Sequence, residues 1–203
     1  MNKAIPISLR AAGAGGLGLG GWALSRPKVT DPYKEKYSFA ILKDGDSALW
    51  DKKFKSLENA NPTHETLRKA TGSVGDESTR KSHHKNGCRE IYESSVKDDK
   101  YLDDFKKYCS KNNEDAIGGS WIAVGTEDSV SPSKWNDKLK ALKSKKDQET
   151  LQALKTLAGK VTDSPDKAQR DELKQWCDGQ KSELFLGDND PFTSGIKSYC
   201  IDG

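Results

Sequence analysis

Four cysteines and three histidines are the residues of this 203-residue chain with the most specific chemistry to offer. Cys88, Cys109, Cys177 and Cys200 could bridge, bind a soft metal or act as nucleophiles; His64, His83 and His84 could act as bases or ligands. A structural zinc site needs four donors, commonly with two of them in a Cys-x-x-Cys pair. No such pair occurs, and His83-His84 with Cys88 makes three donors without a fourth nearby, so no metal ligand is assigned. The run Arg80-Lys-Ser-His-His-Lys85 reads instead as an exposed polar loop ahead of a helix. Asp188-x-Asp190 lacks the rest of a calcium loop and reads as turn chemistry.

Catalytic patterns are missing. Three histidines leave few candidates for a Ser-His-Asp or Cys-His arrangement, and no Gly-x-Ser-x-Gly, His-Glu-x-x-His or phosphate loop is present. His64 follows Pro62-Thr63 and precedes Glu65, a helix-start context in which a capping role suffices. The carboxylates are spread over a charged surface. No catalytic or cofactor-binding residue is assigned.

Bridging is the remaining chemistry for the cysteines. Four thiols allow three pairings. The midpoint of 88 and 109 falls in Lys97-Asp-Asp-Lys100, and that of 177 and 200 in Gly187-Asp-Asn-Asp-Pro191. Both are turn signals. Two antiparallel helices meeting at each turn would bring Cys88 to Cys109 and Cys177 to Cys200. Each bridge would close a loop of about 20 residues and stabilise by roughly 3 kcal/mol. Four buried free thiols, packed as small apolar residues, are the alternative.

The elements that must position these pairs come from an internal repeat. Trp50-Asp-Lys-Lys-Phe54-Lys-Ser-Leu57 aligns with Trp135-Asn-Asp-Lys-Leu139-Lys-Ala-Leu142. Glu65-Thr-Leu67 aligns with Glu149-Thr-Leu151, Cys88 with Cys177, and Tyr108-Cys109 with Tyr199-Cys200. Trp50, Phe54 and Leu57 share one helix face at i, i+4, i+7, as do Trp135, Leu139 and Leu142. Ser131-Pro132 reads as a helix start, and Leu151, Leu154 and Leu157 as a second helix stopped by Gly159. Ser164-Pro165 starts a third, with Leu173, Trp176 and Cys177 inward. Tyr101, Phe105, Tyr108 and Cys109 follow helical spacing in copy one. Trp50, Phe54, Leu57, Trp135, Leu139, Leu142 and Trp176 are the expected structural core. Phe39-Ala-Ile-Leu42 and Trp121-Ile-Ala-Val124 stay open as short strands or irregular lead-ins.

Residues 11–24 hold six Gly, four Ala, three Leu and one Trp without a charge, preceded by Lys3 and Arg10. That length suits a signal-peptide core better than a membrane span of about 20 residues. Ala23-Leu24-Ser25 offers a small-x-small cleavage site. Uncleaved, the segment would be a weak anchor, and the five basic residues soon after it would favour a cytoplasmic body. Beyond the leader, 32 basic residues face 31 acidic ones, a balance of +1 with no one-signed block. A nucleic-acid partner needs a basic stripe, so none is expected. Hydrophobic content of 33% implies a thin core that gains from cross-links.

The expected organisation is a mainly α chain: 1–25 a signal peptide or membrane anchor, 26–43 a lead-in, 44–110 helical repeat one, 111–128 a linker and 129–203 helical repeat two. A Gly/Ala-rich leader followed by repeated Trp…Cys…Cys units, with an aromatic residue directly before the second Cys, resembles the uncharacterised paralogous families of haemotropic mycoplasmas. The likeness covers 1–25, Trp50 to Cys109 and Trp135 to Cys200. It implies a diversifying set of exported or surface-displayed proteins and carries no activity. The expected function is a non-enzymatic interaction or antigenic protein, contacting a host protein or cell surface and reaching the membrane through its leader. A cytoplasm-facing tethered module and a secreted hydrolase of unfamiliar design are the alternatives.

Overall fold

The computed structural model describes residues 30–72, 75–127 and 133–202. The leader, and the Ser131-Pro132 start signal, lie outside them. The chain is mainly helical, 55% helix, and ten α-helices fall among the described residues. No helix among the described residues is long and apolar enough to cross a membrane.

Copy one comprises α1 (Tyr33–Lys36), α2 (Ser47–Lys55), α3 (Glu65–Arg68), α4 (Glu77–Tyr92), a 3-10 turn (Val96–Asp98), and α5 (Leu102–Asp104) running into a π-helix (Phe105–Cys109). Copy two comprises α6 (Asn113–Ala116), β1 (Ser120–Trp121), α7 (Ser133–Ser144), α8 (Gln152–Lys160), α9 (Lys167–Lys181), α10 (Pro191–Tyr199) and β2 (Ile201–Asp202). The long helix of each copy starts on an aspartate. Asp76 accepts the Thr79 N–H, and Asp166 accepts the Gln169 N–H at 2.9 Å, satisfying otherwise orphaned donors. Because Asp166 and Gln169 form a full capping box, α9 begins after Pro165 and not at Ser164. α8 likewise passes through Gly159 to Lys160. Buried Leu157 and Ala158 hold its last turn, and tertiary packing overrides the glycine's weak propensity.

Two cores form, one centred on each copy, the first also taking in Leu184 of copy two. Trp50, Phe54 and Leu57 lie in the first, and Trp135, Leu139 and Leu142 in the second, each at most 4% exposed. Trp176 is only half-buried at the edge of the second core. It precedes Cys177 by one residue, about 100° around the helix, and so falls off the inward stripe. Gly195 of α10 makes room for it: a Cβ there would sit 3.1 Å from the Trp176 ring.

Backbone hydrogen bonds show where each copy begins. Val96 N–H donates to Asp31 O at 3.0 Å, and Phe185 N–H to Lys111 O at 3.2 Å. Tyr33 N–H donates to Ser94 O, and Asn113 N–H to Glu183 O. Isolated bridges Pro32↔Ser95 and Asn112↔Leu184 repeat the pairing, as do Ile41↔Ser110 and the β1–β2 pair Trp121↔Ile201. Each tryptophan then donates its Nε1–H to its own lead-in, Trp50 to Lys43 O at 2.9 Å and Trp135 to Val124 O at 3.0 Å. The segments 26–43 and 111–128, read from sequence as lead-in and linker, therefore hold equivalent pieces of the two copies. From 31 and 111 onward, each pairs first with the segment between its copy's two cysteines and then with the residue that follows the second cysteine.

Candidate functional site

Cys88, on α4, is bonded to Cys109, at the end of the π-helix, with Cα atoms 5.2 Å apart. Cys177, on α9, is bonded to Cys200, just past α10, with Cα atoms 5.5 Å apart. The intervening turns carry the backbone conformations that reversal needs: Asp99 is left-handed at φ 46°, and Gly187 sits at φ 105°. All four cysteines are at most 2% exposed.

The polar run at 80–85 is part of α4 and not a loop. His84 lies one turn before Cys88 on the inward face and is 1% exposed. Its Nε2–H donates to Tyr108 O at 2.8 Å, and its ring packs edge-on to Trp50 at 5.2 Å. Burial lowers its pKa, favouring the neutral ring; the bond to Tyr108 opposes this. His84, Cys88 and Cys109 place one donor atom each within 4.8 Å of one another. His83 is half-buried on the same helix.

His64 stands before α3, but its side chain makes no cap. The cap comes from Asp104 of the other helical arm, whose two oxygens accept Thr63 N–H at 3.1 Å and His64 N–H at 2.7 Å. A carboxylate 40 residues away in sequence gives no local signal. Burial lowers the pKa of His64, and the Glu90 carboxylate, 3.6 Å from Nε2, opposes the shift. Asp188 pairs with Lys197 at 2.7 Å, and Asp190 caps α10 through Phe192 N–H. Both are therefore turn and cap residues.

A groove of about 510 Å³ opens between the copies, lined by Tyr37 and Leu102 of copy one and Leu184, Leu186 and Phe192 of copy two. Lys106 and Glu183 pair across it at 2.8 Å. Three large apolar side chains are exposed among the described residues: Phe39 (62%), Leu186 (41%) and Phe192 (43%). They gather here, two lining the groove and Phe39 lying against Gly187 beside it, where a Cβ would sit 2.9 Å from the Phe39 ring. The sequence showed Phe39 only within an apolar patch, and Phe192 only as a residue after a turn proline. Their convergence depends on how the copies dock.

Comparison with protein-family models, with curated proteins and with solved structures found no match.

Proposed function

We propose that this chain is a non-enzymatic interaction protein, exported or held at the outer cell surface by its N-terminal apolar segment. Its contact site is the groove between the copies, and the occupant is an aromatic or aliphatic side chain of a protein outside the cell. The observation that carries this reading is the gathering of Phe39, Leu186 and Phe192 at one concavity, since clustered exposed apolar side chains mark contact surfaces. The body's charge balance of +1 weighs against a polyanion. Two buried bridges favour an oxidising exterior, where such bonds persist.

An epitope tag appended after Gly203 should be labelled on intact, unpermeabilised cells, and the chain lacking residues 1–25 should bind host cells saturably. Phe192→Asp should abolish that binding while leaving the thermal melt within a few degrees of the parent. Labelling only after permeabilisation would favour the cytoplasm-facing alternative. Undiminished binding by Phe192→Asp would remove the groove from the proposal.

A further inference from the structure

The two copies solve the same packing problem around their bridges with one chemical difference. Four residues before the first cysteine, copy two has Leu173, fully buried in its core. Copy one has His84 there, buried just as deeply. The backbone differs as well. Cys200 follows a regular helix, whereas Cys109 ends a π-helix, a form that recurs at functional sites. Filling the space does not by itself call for an imidazole, because a leucine fills the equivalent place; in the bridged state the ring's Nε2–H is held by Tyr108 O at 2.8 Å. An imidazole also brings polar nitrogens that cost free energy to bury. What it adds is a nitrogen donor beside two sulfurs, all within 4.8 Å of one another.

We propose that copy one, once its bridge is reduced, is a Cys2His site for a zinc-class divalent cation, with His84, Cys88 and Cys109 as ligands. A cellular thiol or dithiol supplies two electrons. The Cys88–Cys109 S–S bond breaks, two thiols form, and the reductant leaves as its own disulfide. The cation then binds both sulfurs as thiolates together with one imidazole nitrogen, releasing two protons. Three protein donors leave the fourth tetrahedral position to a water. A cleft of about 120 Å³, lined by Ser47, Trp50, Asp51 and Lys85, reaches the His84 ring. Copy two keeps its two sulfurs but has no nitrogen, so it is an internal control. The proposal is independent of the display reading and concerns whichever fraction of the chain meets a reductant.

The full chain is reduced with a phosphine, a weaker competitor for zinc than a thiol reductant, freed of the excess, and then given one equivalent of Zn²⁺. Alkylation of each cysteine is followed by peptide mapping. Zinc should slow alkylation of Cys88 and Cys109 about tenfold or more and leave Cys177 and Cys200 unchanged. His84→Leu, which copies the second repeat and removes one of the three ligands, should lose the protection. With Co²⁺ in place of zinc, a thiolate-to-metal charge-transfer band should saturate at one ion per chain. No protection, equal protection of all four cysteines, or protection unchanged in His84→Leu would overturn the proposal. The differential readout holds whether or not reduction loosens the fold.

Discussion

The carboxylate of Asp115, in copy two, lies 2.7 Å from the Nζ of Lys53, in copy one, and both side chains are buried at the joint between the repeats. Lys52 Nζ meets the other carboxylate oxygen at 2.7 Å, while the N–H of Asn112 donates to the oxygen that Lys53 holds, as part of a capping box. Lys111 and Asp46 pair nearby at 2.9 Å. The repeats are thus joined by ion pairs as well as by apolar contact.

Removing Asp115 should leave Lys53 buried and unpaired. Asp115→Ala is expected to cost about 3–5 kcal/mol, the usual result of breaking one side of a buried pair. Lys53→Met, which removes the other charge and keeps the volume, should cost much less. Urea melts of both variants against the parent check this.

The same pair sets an acid dependence. Burial would raise the Asp115 pKa, but Lys52, Lys53 and the Asn112 N–H more than offset it, holding the carboxyl below its ordinary 3.8. A carboxylate with a depressed folded-state pKa contributes stability that is full above its unfolded value and lost as pH falls through the folded one. Stability should therefore fall as pH drops below about 4. Asp115→Asn should flatten that limb of a stability–pH curve, and an unchanged slope would assign it elsewhere.

Tyr92 replaces a direct backbone bond. In copy two, Ile122 N–H donates to Cys200 O at 2.9 Å. In copy one, Leu42 N–H donates to the Tyr92 hydroxyl at 3.3 Å, which in turn donates to Cys109 O at 2.5 Å. Tyr92→Phe strands both groups and should cost about 1–3 kcal/mol, the penalty for unpaired buried polar groups. Faster hydrogen exchange at the Leu42 amide would locate the loss.

Each core tryptophan carries its copy. Trp50→Ala or Trp135→Ala should cost about 3–5 kcal/mol, and Trp→Phe at either place about 1 kcal/mol for the lost bond to the lead-in carbonyl. Chemical denaturation of the four variants separates packing from hydrogen bonding.

The parts of this fold legible in the sequence are those written locally. The i, i+4, i+7 faces of α2 and α7 and the turn residues at 97–100 and 187–191 are all short-range patterns, and they were enough to pair the cysteines. What the sequence hid is long-range. Asp104 caps a helix 40 residues away, and His84 sits in a run so polar that only its spacing from Cys88 and Ile91 hints at burial. The true start of each copy was hidden because Pro32 and Asn112 share no side-chain chemistry; only their backbone pairing is alike. The groove belongs to neither copy alone, so no motif marks it.

Peptide mapping without reductant tests most directly the proposal that this chain works outside the cell as a pair of disulfide-stapled units. Cells are lysed into excess alkylating agent, so that every free thiol is trapped before it can exchange. Two closed bridges, Cys88–Cys109 and Cys177–Cys200, with no alkylated cysteine, are expected. A Cys88–Cys177 linkage would contradict the stapled units. All four cysteines alkylated would place the body in a reducing compartment and contradict the claim outright.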